Sequence, residues 1–162
     1  PTDNVGTVHD QLMAIGADMV IETVDAILAG TVKPIPQDKL LKGAEPTPAP
    51  KIFKDTCLIH WNNPAEKIYN LIRGLSPYPA AWTTVTKDGK ELQIKIYETS
   101  QPLKAKPSTP GTVREEKDKL FVACNDGELE IRSLQLSGKR RMTASEFLRG
   151  CHLAGSILGQ NI

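Results

Sequence analysis

Apolar side chains return along this chain with two different periods. Between Thr7 and Leu28 the apolar positions are Val8, Leu12, Ile15, Met19, Val24, Ile27 and Leu28, three to five residues apart, and Val20 and Ile21 widen the stripe. This spacing predicts one amphipathic helix. Thr7 is placed to cap it, Asp10 occupies the third helical position as in a capping box, and Gly30 is a natural stop. A single helix with so wide an apolar face cannot bury it alone. It must pack on the rest of this chain or on a body that the chain does not include.

From Lys51 onward the period shortens towards two. Cys57-Leu58-Ile59-His60-Trp61 reads as a short strand. Asn63 then reads as a helix cap, with Pro64 at the first position and Glu66 at the third. Ile68, Leu71, Ile72 and Leu75 form that helix's apolar face. Trp82–Thr86 reads as a strand and Asp88-Gly89 as a hairpin turn. Leu92, Ile94 and Ile96 alternate with Gln93 and Lys95 in a second strand. Pro102, Pro107, Pro110 and Gly111 mark a loop, with a short strand over Thr112–Arg114 after it. Leu120–Ala123 and Leu129–Leu136 are two further strands around the hairpin signal Asn125-Asp126-Gly127. Thr143 with Glu146 is a capping box opening a short last helix. The whole predicts a mainly β fold: an OB-like small β-barrel with an inserted helix and a short C-terminal helix, preceded by one separate amphipathic helix. A β-sandwich is the alternative, although it normally needs more strands. The predicted organisation is 1–30 as the terminal helix, 31–50 as a linker and 51–162 as the barrel. Five prolines between Pro34 and Pro50 stiffen the middle segment, whether as a linker or as a surface loop.

Composition narrows the function classes. The chain has 162 residues, 40% of them apolar, which is enough for a packed core. No apolar run is long enough for a membrane span, and no signal-peptide pattern opens the chain. With 3 cysteines and no CxxC pair, a disulfide framework is a poor reading, and reduced thiols fit a cytoplasmic protein. A start at Pro1 reads as a piece of a longer protein. The net charge of +1 conceals an asymmetry. Residues 1–50 carry 3 Lys/Arg against 7 Asp/Glu, whereas residues 51–162 carry 17 against 12. The second part therefore suits an anionic partner.

Catalytic patterns are lacking in the sequence. His9, His60 and His152 form no HxH or HExxH spacing, so no metal site is expected. His60 reads more simply as a half-buried strand histidine than as a base. Cys57 and Cys124 lie in apolar runs and read as inert core thiols. Trp61, Tyr78 and Trp82 read as filling the core and the Ser76-Pro77-Tyr78-Pro79 turn. The basic residues carry more information. Lys139, Arg140 and Arg141 follow a strand, Lys104 and Lys106 lie in the proline-rich loop, Arg73 closes the early helix, and Lys51 and Lys54 lead into the barrel. These eight are the candidate phosphate contacts, set against the plainer reading of scattered solvating charge.

A resemblance sharpens this reading. The run Ile59-His60-Trp61-Asn62-Asn63-Pro64-Ala65-Glu66-Lys67-Ile68, then Ile72-Arg73-Gly74-Leu75-Ser76-Pro77-Tyr78-Pro79-Ala80-Ala81-Trp82, closely resembles the C-terminal domain of methionyl-tRNA formyltransferases. Leu134-Gln135-Leu136-Ser137-Gly138-Lys139-Arg140-Arg141-Met142 agrees in order and spacing. The first helix and the Lys33-Pro34 segment resemble the end of that family's catalytic domain and its connection onward. The resemblance implies an enzyme that moves a formyl group from 10-formyltetrahydrofolate to the methionine amino group of initiator methionyl-tRNA in translation initiation. It implies a Rossmann-like catalytic domain as partner and a barrel that holds the tRNA. That family's catalytic Asn, His and Asp match no position here, so the chain is expected to be inactive alone, with no catalytic residue and no cofactor of its own. The alternatives are a structural buttress for the catalytic fold, or a substrate-side domain of a related formyltransferase or formyltetrahydrofolate hydrolase.

Overall fold

The computed structural model describes residues 2–41 and 43–159, in two compact units. One unit is Thr7–Ile52. The other holds the residues up to Gly6 and those from Phe53 onward.

The first unit is dominated by α1, which runs Val5–Leu28. It begins two residues before Thr7, so Thr7 lies inside the helix rather than at its cap. The stop at Gly30 is as expected. Gly30 takes φ +66°, the Thr31 N–H donates to the Ala26 carbonyl, and the Gly30 N–H donates to the Ile27 carbonyl. Those two bonds are a Schellman closure, which needs a left-handed residue at this point. No α1 side chain is buried, and Leu12, Met13, Ile15, Met19, Val20 and Ile21 are each 55–62% exposed. Beyond α1 the proline-rich segment contains one turn of helix, α2 (Gln37–Leu40), that the sequence pattern did not reveal.

The second unit is built on one antiparallel sheet. β1 (Ala81–Lys87) and β2 (Lys90–Thr99) form a hairpin. Its turn residues Asp88 and Gly89 take φ +51° and +71°, positive at both positions as a type I′ turn requires. β3 (Val113–Glu116) and β4 (Lys119–Ala123) form a second hairpin. The sequence did not signal its turn, because Lys117 rather than glycine takes the positive φ of +56°. β5 (Glu128–Leu136) joins β4 to β2, and the two-residue β6 (Met142–Thr143) also pairs with β5. The strand order is β1-β2-β5-β4-β3. The sheet curls into a half-barrel, in keeping with the expected OB-like class, and no second sheet forms among the described residues.

Two expectations at the entrance to this unit are corrected. The strand over Cys57–Trp61 is instead a 3-10 turn (Asp55–Cys57) followed by one parallel bridge, Leu58 to Trp82. The Cys57 and Leu58 amides turn back to the Lys54 and Asp55 carbonyls, which removes them from any ladder. The helix α3 (Ala65–Leu75) follows, and Asn63 does not cap it. The Asn63 amide donates to the His60 carbonyl, while Asp126 in the β4–β5 turn accepts from the Ala65 N–H at 2.7 Å. The cap thus arrives from 61 residues away. The last helix, α4 (Ala144–Leu148), has the expected capping box between Thr143 and Glu146.

The core lies inside the curl. Ile68, Ile72 and Leu75 of α3 pack with Trp61, Val85, Ile94, Ile96, Val122, Leu129, Ile131 and Leu134. Cys57 and Cys124 are buried thiols, and none of the three cysteines is bridged. His60 is exposed rather than half-buried.

The edges β1 and β3 are not left open. The segment from Gly155 to Gly159 runs between them, with antiparallel bridges Val85–Leu158 and Thr112–Ile157. The Gly155 N–H donates to the Val113 carbonyl, the Leu158 N–H to Gly111, and the Gly159 N–H to Thr84. A Cβ on Gly111 would lie 2.5 Å from the Leu158 carbonyl oxygen, and its φ is +87°. Gly138 has a similar φ of +75° but nothing within 4 Å. Gly111→Ala is therefore expected to lower stability by about 2 kcal/mol or more, and Gly138→Ala by about 1 kcal/mol, the left-handed cost alone. Urea unfolding of the two variants checks this, and equal losses would refute the closure.

Candidate nucleic-acid interface

Alternation along the strands places every second side chain on the outer face of the curl. The β1–β2 and β2–β5 registers set Trp82 opposite Lys95 and Lys95 opposite Gln135, which makes one row across three strands. Cations lie along this row. The Lys54 ammonium is 5.1 Å from the centre of the Trp82 ring, whose indole N–H donates to the Lys54 carbonyl at 2.9 Å. Lys95 Nζ donates to the Pro79 carbonyl at 3.3 Å. The Arg141 guanidinium lies 4.5 Å from the centre of the Tyr97 ring, and its Nε donates to Ser133 Oγ at 2.8 Å. The Tyr97 hydroxyl donates to Gln135 Oε1 at 2.6 Å, and Gln135 Nε2 donates to the Lys139 carbonyl at 2.8 Å. The rings and the amide thus bias two cations and the turn that bears a third towards this face. Cation–π contacts at exposed sites contribute about 0.5–1 kcal/mol each, less than the roughly 1.5–2 kcal/mol of rotamer freedom that a lysine or arginine loses when held, so the two side chains stay free to move to a ligand.

The eight sequence candidates separate in this frame. Lys54, Lys139 and Arg141 belong to the outer face of β1, β2 and β5. Arg140 stands beside them, but its Nη2 is paired with Glu146 Oε1 at 2.8 Å. Arg73 is half-buried at the end of α3. It donates to Asn70 Oδ1 and to the Asp3 carbonyl and lies over the Tyr69 ring. Lys104 and Lys106 are exposed in the loop beside the start of β5, where Leu103 pairs with Glu128. That is the opposite end of β5 from Lys139. Lys51 belongs to the other unit. The sequence reading missed Lys95, Tyr97 and Gln135, and it assigned Trp82 to the core. Trp61 is the fully buried tryptophan, with its indole N–H on Thr83 Oγ1 at 3.1 Å, whereas Trp82 is half-buried, packed against the margin of the core with Lys54 over its ring. Two acids share the face: Glu98, 3.9 Å from Arg132, and Glu91 near the β1–β2 turn.

Burial, and then the nearby Asp126 and Glu128 carboxylates, push the Cys124 thiol up to about 12, so it stays protonated at neutral pH. His152 Nδ1 meets Glu115 Oε2 at 2.9 Å, and the same carboxylate accepts from the Leu153 and Ala154 amides. Burial pushes the Glu115 carboxyl up, but His152 and those two amides outweigh it and hold the group below its usual range. Glu115 is therefore a fastener for the closing segment. Among the described residues no group of His, Cys, Asp or Glu could hold a metal, and no helix is long and apolar enough to cross a membrane. Three open grooves on the unit measure about 350, 450 and 470 Å³. The groove of about 470 Å³ is mainly apolar, and its Asn63 amide donates to the His60 carbonyl.

Residues 51–152 match the family model described as formyl transferase, C-terminal domain. The chain belongs to this family. A methionyl-tRNA formyltransferase of Bacteroides fragilis is 51% identical over 154 residues, which cover 94% of this chain and 48% of that protein. One from Bacillus subtilis is 40% identical over 163 residues, covering 99% and 49%. The chain spans about half the length of the curated relatives it matches. Among solved structures, HypX from Aquifex aeolicus in complex with tetrahydrofolic acid shares the fold, with a TM-score of 0.55 at 19% identity over 82% of this chain and 23% of that one. The row described above is thus a feature of a formyl transferase C-terminal domain.

One acid in this domain has a clear pH signature. The Thr143 N–H bonded to Glu146, and then the Arg140 guanidinium and the Thr143 hydroxyl, hold the Glu146 carboxyl down at about 2. A carboxyl lowered on folding adds stability above its ordinary range, near 4.3, and that stability is lost as pH falls through about 2. The Thr143 amide and the Glu146 amide in α4 are expected to titrate by NMR with a midpoint near 2. In Glu146→Gln that acid transition should be missing. A Glu146 midpoint near 4.3 would show that the capping box does not hold its charge.

Proposed function

We propose that this unit is the tRNA-docking part of a cytoplasmic methionyl-tRNA formyltransferase. In this reading the whole enzyme transfers a formyl group from 10-formyltetrahydrofolate to the methionine amino group of initiator methionyl-tRNA. The unit supplies no catalytic group. It holds the tRNA so that the amine meets the donor in a separate catalytic domain, which is a positioning contribution to the rate. The observation that carries the reading is the outer-face row Trp82–Lys95–Gln135 across three strands, with Lys54 over the Trp82 ring and Arg141 over the neighbouring Tyr97 ring. The relatives named methionyl-tRNA formyltransferase support it. Lys139 and Arg140 extend the row. Arg73, Lys104 and Lys106 remain secondary candidates, set apart from it, and Lys51 is a further candidate in the other unit. Phosphate contacts of this kind fix register without reading sequence.

The test is fluorescence anisotropy of labelled initiator tRNA titrated with this chain at several salt concentrations. Binding should weaken steeply with salt, because each phosphate neutralised releases counterions. Alanine at Lys139, Arg140 and Arg141 together should reduce the slope of log affinity against log salt by about one for each phosphate that is no longer neutralised. Unchanged binding by that triple variant would refute the assignment. Absence of binding at low salt would favour a structural buttress instead.

A further inference from the structure

The outer face carries more than charge. A cleft of about 450 Å³ opens on it, with Lys54, Trp82, Thr84, Glu91, Gln93 and Ser137 among its lining residues. That volume lies within the range of small-ligand sites. Trp82 is half-buried, with Lys54 lying over its ring. The half-buried Gln93 amide has no side-chain partner among the described residues, and the Ser137 hydroxyl has none either, although its backbone N–H is bound to the Gln93 carbonyl. One planar aromatic wall, one unspent amide and one loosely held ammonium are the parts of a nucleotide slot.

We propose that this cleft takes one unpaired nucleotide of the docked RNA. The proposal rests on the RNA-docking reading above and adds a contact to a base. The base lies on the Trp82 ring in place of the Lys54 ammonium, and the ammonium moves to that nucleotide's phosphate. The Gln93 amide and the Glu91 carboxylate meet the base edge. Glu91 would repel a phosphate, but a carboxylate accepts from an exocyclic amine such as cytosine N4. Charge supports a strand rather than a free base, because Lys95 and the Lys139–Arg141 turn continue from the cleft along the same face. Paired bases cannot enter, since their edges and faces are already occupied in the duplex.

Tryptophan fluorescence reads the slot directly, because Trp61 is 4% exposed and bonded to Thr83 while Trp82 faces the cleft. The whole chain is titrated with a short oligocytidylate, with a duplex RNA of equal length, and with cytidine monophosphate. The expected result is saturable quenching by the oligocytidylate, none by the duplex, and much weaker quenching by the mononucleotide. Stacking contacts of this kind respond to truncation of the ring by about 5- to 150-fold in affinity. Trp82→Leu should weaken oligocytidylate binding within that range. Gln93→Ala, which leaves the ring and its indole bond in place, should weaken it with the quenching still visible. Gln93→Ala should leave the salt slope for initiator tRNA unchanged, because the amide meets a base edge and not a phosphate. Salt-dependent binding of strand and duplex alike, without quenching, would overturn the slot and leave the docking reading intact. Quenching by the mononucleotide as tight as by the strand would overturn the claim that the occupant belongs to RNA. Absence of all RNA binding would overturn both.

Discussion

The closing hydrogen bonds of residues 155–159 are the constraint on which the second unit depends. The sheet order leaves β1 and β3 as edges with unpaired amides and carbonyls, and such edges are open to pairing with other chains. The closing segment satisfies both from one short run: it bonds Thr84 on one side and Gly111 and Val113 on the other. Its own position is fixed upstream by Glu115 on the Leu153 and Ala154 amides and by Lys87 Nζ on the His152 carbonyl. Leu153 and Leu158 thereby become part of the core. The curl of the sheet, the sealing of the core and the geometry of the outer face all follow from this one seam.

The outer face shows how a rigid sheet makes use of flexible side chains. Lysine and arginine lose considerable rotamer freedom when they are pinned to a partner. Here part of that loss occurs before any ligand arrives, since Trp82 and Tyr97 hold Lys54 and Arg141 over their rings. Among the described residues these contacts leave the cations without carboxylate partners and open to an anion. Arg140 and Arg114 illustrate the opposite arrangement. Arg140 is drawn to Glu146, and Arg114 is bound by Glu116 and Glu128 over the Phe121 ring. Consecutive basic residues in sequence are therefore unequal in availability.

The two hairpins marked by Asp88-Gly89 and Asn125-Asp126-Gly127 were legible in the sequence, as were the α4 capping box and the Gly30 stop, because each depends on residues next to one another. Family membership was legible from the motif runs around Ile59–Trp82 and Leu134–Met142. The β3–β4 turn was not, because a lysine took the left-handed position that glycine would have announced. The cap of α3 was not, because Asp126 is remote in sequence and Asn63 was a plausible local substitute. The cation row was only half legible. Alternation showed that Gln93 and Lys95 face outward, but the register that sets Lys95 between Trp82 and Gln135 belongs to strand order, which no local pattern encodes.

The remote cap also bears on how the unit opens and closes. The first turn of α3 is completed by a carboxylate on the β4–β5 hairpin, and the Asn125 N–H bonds the Asn63 carbonyl beside it. Fraying of that helix end and opening of that hairpin are consequently one event rather than two. Sub-global unfolding proceeds in such shared pieces, each with its own free energy. Helix α3 and the β4–β5 turn should thus belong to a single cooperative block, and a ligand that quiets either one would steady the other without touching it.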